Sequence, residues 1–192
     1  CAFTAQDTPH PVDPYARSKL QAEAALQLVA MQTGLEITVI RPPLVYGPGA
    51  KGNLGLLERA IRHGWPLPIG ALDVNRRSLV SLANLADLIA CCMTHPGAAN
   101  QVFLASDGED VSTLALARLI ADALDIRLKT LAVPVSLLRL LARFTRRQAM
   151  LRRLTDNLQI DIGLTRSTLD WTPPQTLSQA MRAAFAGQTH TV

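Results

Sequence analysis

The sequence predicts an α/β fold, and three observations carry that expectation. Short apolar runs rich in β-branched residues alternate with helical patterns along the chain. Asp13-Pro14 supplies a capping side chain followed by proline at the first helical position, and Gly34 supplies the stop, so a helix is bracketed near the start. With 48% hydrophobic and 18% charged residues the composition is that of a globular protein. At 20.7 kDa such a chain should fold to about 8,900 Å² of accessible surface around one ordinary core. No run approaches the ~18 apolar residues of a bilayer span.

The elements follow in order. Leu20, Ala24, Ala25, Leu28 and Met31 give the first helix its apolar positions. Residues 35–40 end in a β-branched run, as in a parallel-sheet strand covered on both faces. Residues 41–49, Arg41-Pro42-Pro43-Leu44-Val45-Tyr46-Gly47-Pro48-Gly49, are too dense in proline and glycine for a helix and predict a loop. A helix over 53–63, a turn over 65–70, a strand over 78–82 and a helix over 84–93 come next. A strand over 101–105 precedes a helix over 112–124 that opens on a Ser cap and is rich in Ala and Leu. A short strand over 129–133, one long basic helical stretch over 135–158 and a last helix over 177–186 complete the pattern. No fixed-period repeat or low-complexity tract occurs.

Charge is unevenly placed. Residues 136–153 hold Arg139, Arg143, Arg146, Arg147, Arg152 and Arg153 and no acid, leaving thirteen bases against fifteen acids elsewhere. With two Trp, two Tyr and four Phe there is also no platform for stacking single strands, so nucleic acid is not an expected partner. The basic stretch is amphipathic through Leu137, Leu138, Leu140, Leu141, Phe144, Leu151 and Leu154. It suits either a core-facing helix with a solvated basic face or a helix in peripheral contact with an anionic membrane. Cys1, Cys91 and Cys92 make no disulfide framework, and neither they nor His10, His63, His95 and His190 have metal-ligand spacing, so no metal is expected. No GxSxG or HExxH motif occurs. The chain begins at Cys1 without a signal-peptide pattern, which predicts a cytoplasmic protein cut from a longer parent.

The chemistry-bearing pattern is Tyr15-Ala16-Arg17-Ser18-Lys19, which sends Tyr15 and Lys19 from one face of the first helix. A phenol with an ordinary pKa near 10 is a weak base at neutral pH, and a neighbouring ammonium favours the phenolate. The pair alone also fits chance neighbours on a solvated helix. The wider pattern is more specific. Asp13-Pro14-Tyr15-Ala16-Arg17-Ser18-Lys19 with Glu23, followed by the residues of the 41–49 segment, resembles the extended short-chain dehydrogenases/reductases. Within them it is most similar to the NAD-dependent nucleotide-sugar epimerase/dehydratase family. The resemblance continues through Arg77-Ser78-Leu79-Val80-Ser81-Leu82-Ala83-Asn84-Leu85-Ala86, Asn100-Gln101-Val102-Phe103-Leu104-Ala105-Ser106 and Leu169-Asp170-Trp171-Thr172-Pro173.

The resemblance implies the C-terminal part of a Rossmann-type doubly wound parallel sheet with a smaller mixed α/β substrate-binding region. Residues 1–50 would be the remnant of the dinucleotide-binding domain. Residues 51–192 would be the nucleotide-sugar region, with interleaved elements able to return to the sheet. It implies catalysis by Tyr15, which exchanges a proton with a sugar oxygen, and Lys19, which holds the nicotinamide ribose. Pro42 and Leu44 join them as contacts to NAD or NADP; Leu44 stands where the family often has Asn, which puts that residue's polar contact to the substrate in doubt. Asn53, Leu54, Ile69 and Arg77 become contacts to a UDP- or dTDP-sugar, with a helix N-terminus and the Arg77 fork suited to its diphosphate. Asn53 also fits an ordinary cap, and Arg77 a solvated strand-end charge.

The Gly47 to Gly52 loop matches GxGxxG, but Pro48 lies inside the turn and the resemblance sets this loop on the substrate side. The implied parent is a homodimer that performs 4-epimerisation or 4-keto-sugar reduction. The alternative is a non-catalytic nucleotide-sugar-binding or membrane-docking relative of the same fold. The family's glycine-rich loop and catalytic Ser/Thr have no counterpart in these 192 residues. The chain alone is therefore expected neither to bind NAD(P) well nor to turn over; micromolar NAD(P)H binding in a fluorescence titration would contradict this.

Overall fold

The computed structural model describes residues 2–49, 52–145 and 148–185. Helix α1 (Pro14–Thr33) starts where the Asp13 carboxylate accepts the Ala16 N–H at 2.7 Å, and stops at Gly34, whose φ of 74° is left-handed. Then come β1 (Thr38–Arg41), β2 (Leu44–Tyr46), α2 (Asn53–Arg62), β3 (Arg77–Ser81) and α3 (Leu82–Thr94). The second half runs β4 (Gln101–Leu104), β5 (Asp110–Val111), α4 (Thr113–Ala123), α5 (Val135–Phe144), α6 (Gln148–Thr155), α7 (Gly163–Leu169) and α8 (Leu177–Phe185).

The fold is α/β. Strand β1 pairs in parallel with β4, Thr38 opposite Gln101 and Arg41 opposite Leu104. Strand β2 pairs in parallel with β3, Leu44 opposite Leu79 and Tyr46 opposite Ser81, and β5 adds antiparallel to the start of β3. Parallel neighbours need crossovers: α2 lies between β2 and β3, and the chain from β2 through α3 lies between β1 and β4. Successive residues of a strand face opposite sides, so β3 feeds two cores rather than the single one expected. Leu79 packs with Tyr46, Leu54, Ile120, Met181 and Phe185, while Val80 packs with Leu88, Phe103, Leu169 and Trp171. The accessible surface, 12046 Å², exceeds the ~8,900 Å² of a compact chain this size. Helix α1 contributes to it, having no fully buried residue.

Where pattern and structure differ, non-local contacts decide. The 41–49 segment is not all loop: its prolines lie outside Leu44–Tyr46, which becomes β2 because β3 offers a partner in register. Strand β1 begins at Thr38 and its residues are exposed or half-buried, not covered on both faces; among the described residues its strand partner is β4. The strand expected over 129–133 is one bridge, Leu67 to Thr130; Pro68 has no N–H to extend the ladder. Gly70 lets that turn approach closely, since a Cβ there would meet the 131–132 backbone at 3.0 Å. The long basic helix is two helices. Thr145 caps α5 and its hydroxyl bonds back to the Leu141 carbonyl at 2.9 Å. Helix α7 and strand β5 had no clear local signal. Cys1, Arg146, Arg147, Ala186 and His190 lie outside the described residues.

The two cores meet at a buried carboxylate. Asp107, 5% exposed, accepts the Tyr46 hydroxyl at 2.6 Å, the Ser81 N–H at 2.9 Å and the Asn84 Nδ2 at 2.7 Å. Asn84 in turn exchanges two hydrogen bonds with the Gln175 backbone, at 2.9 and 3.0 Å. Asp107→Ala strands three buried donors and is expected to cost about 4 kcal/mol, or roughly 8–16 °C in Tm. Urea and thermal unfolding measure it; a loss below about 1 kcal/mol would mean that the donors find other partners.

Candidate functional site

Tyr15 and Lys19 occupy the first two turns of α1. The Lys19 Nζ stands 5.5 Å from the centroid of the Tyr15 ring, and Tyr15 is 72% exposed. One turn further along the same face, Glu23 holds Arg41 in a two-pronged ion pair: Nε lies 3.1 and 3.2 Å from the two carboxylate oxygens, and Nη2 contacts the second. Arg41 ends β1, so this pair ties α1 to the strand end beside which Pro42 and Leu44 stand exposed. For a helix with no fully buried side chain, the pair is a principal orienting contact.

A second group forms around Arg77 at the start of β3. Its Nη1 donates to the Asp156 carbonyl at 3.2 Å. A cleft of about 670 Å³ opens beside it, bordered by Val12 and Asp13 at the head of α1 and by Gln148, Arg152 and Asp156 of the α6 region. The cap of the Tyr15 helix and the Arg77 strand therefore face one space. Two guanidinium groups and two carboxyl groups border it, and Asp13 already accepts the Ala16 N–H.

The other expected contacts are placed differently. Asn53 is the first residue of α2, and Gly52, at φ 75°, occupies the cap position, so Asn53 is not the cap. Leu54 and Ile69 are 2% and 6% exposed and pack in the core with Leu79; Leu54 can offer a ligand only its backbone N–H. Asn53, Leu54 and Ile69 are not among the described residues lining the Arg77 cleft. Those that do, Asp13, Gln148, Arg152 and Asp156, were not singled out as site residues by the sequence. The acid-free run containing Arg152 was the one available signal. Among the described residues there is no group of three or more His, Cys, Asp or Glu able to hold a metal, and no helix long and apolar enough to cross a membrane.

Residues 2–105 match the model of the NAD dependent epimerase/dehydratase family. The chain belongs to that family. It is 46% identical over 182 residues to the UDP-glucose 4-epimerase of Vibrio cholerae, covering 95% of this chain and 56% of that protein. It is 27% identical over 186 residues to the GDP-6-deoxy-D-mannose reductase of Pseudomonas aeruginosa, covering 93% and 56%. The chain thus spans about half the length of the curated relatives it matches. Among solved structures, the UDP-N-acetylglucosamine 4-epimerase from Bacillus cereus superposes with a TM-score of 0.75 at 17% identity, over 96% of this chain and 57% of that one. That likeness concerns the fold.

The two tyrosines differ in exposure: Tyr15 is 72% exposed, Tyr46 is not. Tyr46 is 1% exposed and donates to Asp107; burial first, then that hydrogen bond and the Asp107 charge, push its phenol far above the ordinary range. It is thus a structural group. Because its folded value lies above its unfolded one, its contribution to stability is complete below about pH 10 and declines by about 1.4 kcal/mol per pH unit above it. Alkaline unfolding measured between about pH 9 and 12 should show the decline setting in near pH 10 and approaching this slope above about pH 11 in the wild type; Tyr46→Phe should flatten it, and an unchanged slope would assign it to other groups.

Proposed function

We propose that the protein performs NAD(P)-dependent chemistry at C4 of a nucleotide-diphosphate sugar, either 4-epimerisation through a keto sugar or reduction of a 4-keto sugar. The reading is supported above all by the exposed Tyr15–Lys19 pair on a helix whose cap, Asp13, shares a cleft with Arg77. The 46% identity to a UDP-glucose 4-epimerase favours UDP as the nucleotide, with dTDP the alternative.

The residues present fit the nicotinamide end of NAD or NADP. Tyr15 and Lys19 are exposed, and Pro42 and Leu44 stand exposed next to the strand end that the Glu23–Arg41 pair joins to their helix. A nicotinamide held by these residues would supply the hydride exchange with the sugar carbon. Tyr15 removes the proton of the sugar hydroxyl or returns one to the keto oxygen. Lys19 holds the ribose and sets a positive charge beside the phenolic oxygen as its proton leaves. Leu44 contributes an apolar wall in place of a polar contact. Arg77 binds the diphosphate, and Arg152 on the same cleft adds a second guanidinium. Asn53 and the Leu54 N–H at the start of α2, with the turn holding Ile69, border the nucleotide. Residues 1–50 then belong to the dinucleotide-binding domain and 51–192 to the substrate region, from which β4 returns to pair with β1. A homodimer is the matching proposal for α1, whose Leu28 and Met31 are exposed.

Tyr15→Phe is expected to lower turnover of the intact enzyme by about 10²–10⁴-fold while UDP affinity stays within about twofold. Arg77→Ala is expected to weaken UDP binding by about tenfold or more. Calorimetry with UDP gives the binding terms; NAD(P)H absorbance together with sugar stereochemistry separates epimerisation from reduction. Unchanged turnover in Tyr15→Phe would end the catalytic reading and leave a nucleotide-sugar-binding relative.

A further inference from the structure

We infer that the α5–α6 hairpin is a docking surface for an anionic lipid bilayer. Helix α5 is apolar on two sides. Val135, Leu138 and Ala142 turn toward the body of the protein. Leu137, Leu140, Leu141 and Phe144, spaced i, i+3, i+4 and i+7, form a second stripe with exposures of 45, 51, 51 and 79%. A continuous exposed apolar stripe on a charged helix marks a surface that something covers.

The charge of the same segment says what covers the stripe. Between 136 and 153 the sequence has six arginines and no acid, and Arg139, Arg143 and Arg152 are those with described side chains. Arg139 and Arg143 stand one turn apart on α5, and with Arg152 of α6 they border a groove of about 370 Å³ in which Asp156 is the single acid among the described lining residues. A second copy docked about a two-fold axis would set this arginine cluster against its own image. A surface of anionic headgroups is instead attracted by Arg139 and Arg143, while the apolar stripe enters the headgroup–acyl boundary. Docking in the plane also suits the helix: at ten residues, α5 is about 15 Å long, too short to span.

The hairpin is firmly mounted for this role. Val135, Leu138 and Leu154 pack against a core, and the Leu154 carbonyl accepts the Thr113 hydroxyl at 2.6 Å and the Asn75 Nδ2 at 3.2 Å. Gln148, Arg152 and Asp156 border both the groove and the Arg77 cleft, so docking sets that cleft at the lipid surface. This last consequence rests on the proposed function; the docking does not.

The test is co-sedimentation of the purified protein with phosphatidylcholine vesicles, pure or carrying about 30 mol% phosphatidylglycerol, at about 50 and 500 mM NaCl. The expected result is binding to the anionic vesicles at low salt, with at least about a fivefold loss at high salt and on neutral vesicles. Leu141→Glu with Phe144→Glu, and separately Arg139→Glu with Arg143→Glu, should each reduce binding about fivefold or more while circular dichroism and UDP affinity stay unchanged. Absence of binding to anionic vesicles at low salt overturns the proposal, as does binding that both variants retain. A dimer in analytical ultracentrifugation that the Leu141/Phe144 variant dissociates, or saturable binding of an acidic protein to the stripe in place of vesicles, also overturns it. Loss of UDP binding by the wild-type protein would count against the proposed function instead.

Discussion

One buried carboxylate sets the geometry that the rest of the molecule uses. Asp107 lies just beyond β4, sends its own N–H to the Leu79 carbonyl, and accepts donors from β2, from the β3–α3 junction and from α3. A charge taken out of water costs free energy unless its lone pairs are filled, and a second register of β2 on β3 would leave them unfilled. The same carboxylate therefore enforces the parallel pairing that β-branched side chains alone leave loosely specified. Through Asn84 it also fixes the Gln175 segment, and with it the entry to α8. Arg77 begins β3 and Pro42–Leu44 leads into β2, so the positions of both descend from this anchor.

Helix α1 is held in a different way. Its side chains are exposed or half-buried, and a bidentate ion pair takes the place of a packed core in setting its direction. Segments with few buried contacts are the first to open locally, so α1 is the element whose orientation responds most readily to what lies against it. The candidate site thus joins two kinds of support: a strand end locked by the Asp107 network, and a helix head tethered by Glu23–Arg41 with its tyrosine toward solvent.

The hairpin of α5 and α6 illustrates how a compositional feature becomes a spatial one. Arginine repeats without intervening acids are costly to fold back on one another, yet the chain turns between these helices because Leu138 and Leu154 both have places against the core. That return brings Arg152 to the mouth of the Arg77 cleft and leaves the Leu137–Phe144 stripe outside.

Much of the local structure was legible in the sequence, because helix starts and stops are written within one turn of chain. Asp13-Pro14 and Gly34 bracket α1, and Ser112 caps α4, as their side chains and backbone freedom require. The four-residue spacing of Tyr15 and Lys19 likewise determined that they share a helix face, and the order of motifs determined the family. What spacing could not determine was pairing between distant segments. Strand β2 exists because β3 accepts it, the 129–133 segment stays a single bridge because Pro68 faces it, and Tyr46 is buried because Asp107 waits for its hydroxyl. Only the tertiary structure decided that Asp13, Arg77 and Arg152 border one cleft, while Leu54 and Ile69 turn into the core. Each of those outcomes depends on partners far along the chain, whose approach is set by the filling of two cores and not by neighbouring residues.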